Sequence, residues 1–251
     1  MRCDVHAVAA WFWARGHPAV TATEVSRWRQ HACSYAVGHP VVFDDFLTGD
    51  AAAFPVGGSF IALDLEYDSD YQEPGSLIWL VGACVVNGDL REHLVLWADS
   101  ADDEERNLRA LGELVRCRPT LPVVTWAGDS AEGPRLRAAA NSLRTRVNLD
   151  PLFERHIDLF TYARQHVRLP IPRLGLKEVA EYFGIPRLSG VADGRHARSL
   201  HDRYRRTGDP GLRDRLIDYN RDDLDTLVGI SQQFTRLTAP TEGSCSRSFG
   251  S

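Results

Sequence analysis

The run Leu77-Ile-Trp-Leu-Val-Gly-Ala-Cys-Val-Val86 is the strongest constraint on this chain. It is apolar at nearly every position, so a strand built from it needs cover on both faces. Neither it nor any other stretch approaches the roughly 18 apolar residues of a membrane helix. Phe60 to Glu66 shows the same character, apolar on both faces until its end. Two such strands require a sheet flanked by helices.

The rest of the chain supplies that cover. Asn87-Gly88-Asp89 is a hairpin signal leading into a third strand, His93 to Trp97. Ser100 predicts a cap for a helix through about Cys117, with Leu108, Leu111 and Val115 on one stripe. Pro122 to Trp126 reads as a fourth strand, followed by a helix from about Gly133 to Leu143. His156 to Asp158 is a short extended piece, with Asp158 capping a helix to about His166. Leu176, Val179, Ala180 and Phe183 form a helical face that Gly184 ends, then come a basic helix, Arg195 to Arg206, and a long helix, Leu212 to Phe234. The order predicts an α/β fold whose mixed central sheet opens with three antiparallel strands. Residues 1–55 read as a helical, Trp-rich extension ending in a loop (Thr48 to Pro55), residues 56–238 as the main domain, and 239–251 as a flexible Ser/Gly-rich tail.

Composition narrows the function. With 43% hydrophobic and 25% charged residues, the chain is neither disordered nor a coiled coil. Its 29 basic against 34 acidic residues give a net charge of −5, which argues against wholesale basic wrapping of nucleic acid. A nucleic-acid enzyme remains compatible if its cations are local and its acids bind metal. The five cysteines, at 3, 33, 84, 117 and 245, are odd in number, widely spaced and without a C-x-x-C. That excludes a disulfide framework or a zinc knuckle and predicts reduced thiols in a cytoplasmic protein. The apolar run from Val8 to Ala14, holding Trp11, Phe12 and Trp13, follows Asp4 and meets Arg15 at once. It reads as a packing helix or a patch for a protein partner rather than a signal peptide, and no membrane partner is expected.

The chemistry concentrates in three places. Asp64 and Glu66 end the first strand two residues apart, so both carboxylates share one face. Such a pair is either a solvated strand end or, where like charges are crowded and desolvated, a divalent-cation site. On the last helix, Leu216, Leu227, Ile230 and Phe234 mark the core stripe, and Tyr219 and Asp223 lie on it. Asp222 instead aligns with Asp218, Asp225 and Gly229 on the expected wet face. An inward Asp223 needs a metal, a buried Arg partner or a neighbouring helix to cap. A third acid comes from the segment Thr125 to Leu136, which leaves the fourth strand and enters a helix. Glu132 and Asp129 compete for that role, and either is equally an acid favoured by a helix N-terminus.

Phe60-Ile-Ala-Leu-Asp64-Leu-Glu66, Thr125 to Leu136 and Tyr219-Asn-Arg-Asp-Asp223 together resemble the three exonuclease motifs of the DEDD group. More closely, the chain resembles YprB-like ribonuclease H-like exonucleases and the C-terminal exonuclease region of predicted RecB-family nucleases. The resemblance runs from about residue 57 to 234 and includes Leu152 to Leu159, Leu174-Gly-Leu-Lys177 and Tyr219 to Leu224. The Tyr-x-x-x-Asp spacing, with Asp rather than His at 218, places it beside the tyrosine subgroup.

That resemblance implies a ribonuclease H-like fold and a two-metal 3′-5′ exonuclease acting on DNA or RNA, on a single strand or a 3′ end. Two Mg2+ or Mn2+ ions would be held by Asp64, Glu66, Glu132 and Asp223. Asp64 would bridge them, Glu66 and Asp223 would complete one site, and Glu132 would hold the other ion through a water. Tyr219 would orient the attacking water by a hydrogen bond, since a phenol is a poor base at neutral pH. The chain departs from the family's second motif, commonly Asn-Gly-x-x-Phe-Asp, with Ala127, Gly128, Ala131 and Glu132 at the matching positions. That departure motivates a second reading, a catalytically silent nucleic-acid-binding or assembly module. For substrate contacts, the helix Arg195 to Arg206 carries five arginines against Asp202, either a phosphate track or a solvated face. Trp126 is either a base-stacking platform or core.

Overall fold

The computed structural model of the protein describes residues 5–16, 21–42, 56–68, 76–141 and 147–238. The boundary loop Thr48 to Pro55 and the tail 239–251 lie outside the described residues. β2 (Ser59–Tyr67), β3 (Ile78–Asn87) and β4 (Leu90–Trp97) form the expected antiparallel meander. β5 (Val123–Thr125) then pairs parallel with β2, and β6 (His156–Asp158) parallel with β5. The sheet order is β4-β3-β2-β5-β6, so β2 sits at its centre.

The two apolar runs behave as their composition requires. Phe60 and Ala62 of β2 face a layer built from α6 (Leu159–His166), α7 (Leu176–Tyr182) and α9 (Pro210–Thr238), where Leu159, Val179, Leu227 and Phe234 are buried. Ile61, Leu63 and Leu65 face the opposite layer, with Leu108 and Leu111 of α3 (Ala101–Arg116) and Leu136 of α4 (Glu132–Ala140). Burying side chains of this size contributes roughly 1.5–3 kcal/mol each, so the two layers fix which face of β2 meets which helix. Ser100 caps α3 by accepting from the Asp103 amide, and Asp158 caps α6 by accepting from the amides of Phe160 and Thr161. A short α5 (Asp150–Phe153) precedes β6, and α8 (Gly194–Thr207) packs on α9.

The N-terminal extension comprises α1 (Val5–Trp13), α2 (Ala22–Val37) and the short β1 (Val41–Val42). β1 pairs antiparallel with β7 (Val167–Arg168), and Ser34 Oγ donates to the carbonyls of His39 and Arg168. α2 is thereby docked beside the segment joining α6 to α7. Trp11 and Trp13 of α1 are exposed, while Phe12 packs edge-on against Trp28. Among the described residues, Cys84 is a buried free thiol and Cys117 an exposed one, and no helix is long and apolar enough to cross a membrane.

Candidate active site

The site lies where β2 ends against the middle of α9. Phe60, Ala62, Asp64 and Glu66 share the α9-facing side of the strand, so the face that buries apolar side chains at its start presents acids at its end. A β-bulge interrupts the β2–β3 register between Glu66 and Tyr67. Bulges re-aim side chains and terminate pairing, which suits the point where the strand leaves the sheet.

α9 brings Asp223 to the same place. Ligand oxygens of Asp64, Glu66 and Asp223 all lie within 4.8 Å of one another. Three carboxylates this close raise one another's pKa. Burial is the largest cause and holds Asp64 well above the ordinary carboxylate value, with Asp223, Glu66 and Glu132 adding repulsion. Burial likewise pushes Glu66 up to about 8. Asp223 is also raised by burial, against the pull of Arg187, whose Nη1 lies 2.6 Å from Asp223 Oδ1. Of the partners foreseen for an inward Asp223, an arginine is therefore present, the half-buried Arg187, and beside it converge the carboxylates that a metal ion would need. Tyr219, buried on the preceding turn, donates to Asp223, and burial keeps its phenol protonated across the physiological range.

Glu132 is buried at the first turn of α4, close enough to act electrostatically on both Asp64 and Glu66, but it is not one of the three converging acids. Burial pushes it up to about 7, and its Oε2 is buried without a hydrogen-bond partner among the described residues. Asp129 points elsewhere: its side chain is 61% exposed and lies 3.3 Å from His156 Nδ1. The turn between them is held from below. Asp158 accepts from the amides of Ala127 and Asp129, and His156 Nε2 lies 2.7 Å from Thr125 Oγ1. Ala127 sits at φ 62°, a left-handed conformation costing of order 1–3 kcal/mol that these bonds stabilise. Gly128 is tightly confined, since a Cβ there would fall 2.0 Å from Thr125 Oγ1.

Asp222 corrects an expectation of the helical wheel. Instead of facing water it is buried, accepting from the amides of Leu188 and Ser189 and lying 3.5 Å from Arg187. The segment after α7 crosses α9 there and covers a face that the pattern of α9 alone marks as wet. Asp218 stays exposed.

Two residues quoted in the motifs but given no role prove central to the geometry. Asn220, fully buried, donates from Nδ2 to Asp64 Oδ2 at 2.7 Å and thereby orients that carboxylate. It reaches Asp64 because Gly82 stands directly across the sheet from it; a Cβ at 82 would fall 1.7 Å from Asn220 Oδ1. Lys177 Nζ lies 5.1 Å from the centroid of the Tyr219 ring, donates to the Ala192 carbonyl and draws Asp223 and Glu66 toward their ionised forms. Burial in the sheet of a lone Gly within an apolar strand was the one signal for the first of these. On α8, Arg198 is the arginine whose charge reaches Glu66, whereas Arg205 approaches Asp68 and Arg195 approaches Asp193. Trp126 packs partly buried against Phe160 of α6, ring edge to face at 5.9 Å.

An all-oxygen set of three convergent carboxylates suits a hard divalent cation such as Mg2+ or Mn2+ better than a softer metal. A divalent cation would offset the repulsion among these carboxylates and give the buried Glu132 Oε2 a partner. The residues present therefore fit such a group.

Comparison with known proteins agrees with the fold. The sequence model described as the RNase_H superfamily matches residues 61–235. Among solved structures, the chain is similar to the family B DNA polymerase from the hyperthermophilic archaeon Pyrobaculum calidifontis, with a TM-score of 0.54 and 20% identity. That likeness covers 72% of this chain and 25% of the polymerase, and at such identity it is a likeness of fold. No curated protein matches the chain.

Proposed function

The chain belongs to the RNase_H superfamily, and from that membership we propose that it is a divalent-metal-dependent nuclease, a 3′-5′ exonuclease hydrolysing phosphodiester bonds of DNA or RNA. The observation that carries the proposal is the convergence of Asp64, Glu66 and Asp223 from two distant segments to within 4.8 Å. The 3′ direction rests on the resemblance of the three motifs to DEDD exonucleases of the tyrosine subgroup.

In this reading Asp64, Glu66 and Asp223 would hold one divalent cation, and Glu132 would contribute to a second. Bound cations supply an activated water and stabilise the charge that develops in an in-line displacement at phosphorus. The protein's own groups prepare that step. Asn220 fixes the rotamer of Asp64, so little reorganisation remains when substrate arrives. Tyr219 keeps its proton and acts as a hydrogen-bond donor that positions water rather than as a base. Lys177 and Arg198 offset part of the charge of the acidic cluster and favour approach of a phosphodiester.

The silent-module reading draws on Glu132 lying outside the three converging acids and on Arg187 pairing with Asp223. One assay separates the two. Wild type should shorten a labelled single strand from its 3′ end with Mn2+, and the Asp64→Ala/Asp223→Ala variant should not. Equal inactivity of both proteins would overturn the enzyme.

A further inference from the structure

A second charged feature lies away from the carboxylates, in a groove of about 390 Å³ between α2 and the segment joining α6 to α7. Arg27, Trp28 and His31 line one wall, and Arg164, Arg168 and Arg173 the other. Among the described residues the groove's one carboxylate, Glu24, is already engaged as the acceptor of the Thr21 amide in the capping box of α2. Arg27, Arg164 and Arg173 are exposed, and none forms an ion pair with a carboxylate among the described residues. In a chain of net charge −5, Arg27, Arg164 and Arg173 are a local concentration of cations without a carboxylate partner among the described residues. Cations held together without acids repel one another and are stabilised by an anion.

The groove also presents an aromatic surface. Trp28 is 50% exposed, and Phe12 braces its ring edge-on. On the far wall Arg164 lies over Phe160 at 5.9 Å, and Phe160 meets Trp126, which directly follows β5 at the turn leading to Glu132. Basic and aromatic groups thus alternate from the groove to the start of the turn that leads to Glu132. Phosphates along one wall and bases on intervening rings are how sequence-independent single-strand binding works.

We propose that this groove binds the single-stranded nucleic-acid chain upstream of the 3′ end engaged by Asp64, Glu66 and Asp223, with arginines on its phosphates and Trp28 stacked on a base. The inference rests on the nuclease reading for its direction and adds to it a binding site on the N-terminal extension. An acidic peptide offers the same charges without rings to stack, and the exposed Trp28 with the Arg164–Phe160–Trp126 series favours the nucleic acid.

The test is fluorescence anisotropy of the full chain in EDTA, where binding is read without cleavage, using single strands of about 16 and about 4 nucleotides. Wild type should bind the long strand at least tenfold tighter than the short one. Arg27→Gln/Arg173→Gln should lower long-strand affinity about tenfold and reduce the salt slope by about 1.4, at 0.7 per lost phosphate contact. Trp28→Ala should weaken it by a similar factor. The short strand should bind all variants within about twofold, and the exposed positions 27 and 173 leave folding intact, which a thermal melt checks. Unchanged long-strand affinity in both variants, or equal competition by poly-glutamate and oligonucleotide, would overturn the groove. With Mn2+ added, hydrolysis of the short strand reports the carboxylate site separately. Groove-dependent binding without any hydrolysis would sink the nuclease reading and leave the groove standing; hydrolysis without groove dependence would do the reverse.

Discussion

Gly82→Ala tests the site's architecture through a residue that touches no substrate. The added methyl would start 1.7 Å from Asn220 Oδ1 and 2.7 Å from its Cγ, against an ordinary contact near 3.4 Å. Asn220 must therefore retreat by well over an ångström, yet it is fully buried between β3 and α9 with nowhere to turn. Overpacking of this kind costs about 1–3 kcal/mol, and breaking the charge-assisted bond to Asp64 costs about 1.5–3 kcal/mol more. For a domain of this size the sum corresponds to a Tm lower by roughly 5–15 °C. Freed from Asn220, Asp64 loses its orientation, and misplacement by about 1 Å costs on the order of 100-fold in rate. The assays are a thermal melt and Mn2+-dependent shortening of a 3′-labelled strand. Adding Asn220→Ala to Gly82→Ala removes the clash but not the loss of the Asp64 bond, so it should recover only the overpacking part of the Tm loss while leaving activity low. A Gly82→Ala protein with wild-type Tm and turnover would refute the reasoning. So would a double variant that regains both.

The remaining predictions concern single groups. Asp223→Asn should reduce turnover at least about 1000-fold with little loss of Tm, whereas Asp222→Asn should lower stability by about 2 kcal/mol, because it anchors the amides of Leu188 and Ser189; identical profiles for the two variants would show that their roles are not separate. Burial raises Glu66 from 4.5 to about 8, so the folded state retains a proton that the unfolded chain releases. Its contribution is full below about pH 4.5 and is lost as pH rises toward 8, by at most ~1.4 kcal/mol per pH unit. In EDTA, urea melts should show the stability of wild type relative to Glu66→Gln falling over that window, and saturating Mn2+ should flatten the fall; a difference that rises with pH contradicts the sign. Tyr219→Phe should slow kcat about tenfold or more while Mn2+ affinity stays within about twofold, and an equal loss of metal binding would make the tyrosine part of the cation site.

Much of the fold was legible in the sequence for identifiable reasons. The runs Phe60–Leu65 and Leu77–Val86 can only be covered strands, and Ser100 and Asp158 are caps whose side chains accept the amides they were expected to. Asp64 and Glu66 follow from strand alternation, and Asp223 from the stripe through Leu216 and Leu227, because each depends on local periodicity. What could not be read depends on segments meeting across the fold. Asp222 is wet by helical phase and buried because residues 185–191 cross over it. Asn220 gains its role from a missing side chain on another strand. Lys177 and Arg198 reach the cluster only because α7 and α8 pack beside it, which no spacing within either helix reveals. The competition between Asp129 and Glu132 has the same origin: His156, far along the chain, draws Asp129 aside and leaves Glu132 facing the acids.

The account stands on cation binding by groups that could hardly remain ionised together without it. Crystals grown with Mn2+ and measured at the manganese absorption edge test this most directly. The account predicts an anomalous peak coordinated by oxygens of Asp64, Glu66 and Asp223, lost in Asp223→Asn. Clear density for all three side chains with no peak between them, Asp223 held by Arg187 and a proton shared across the others, would contradict it.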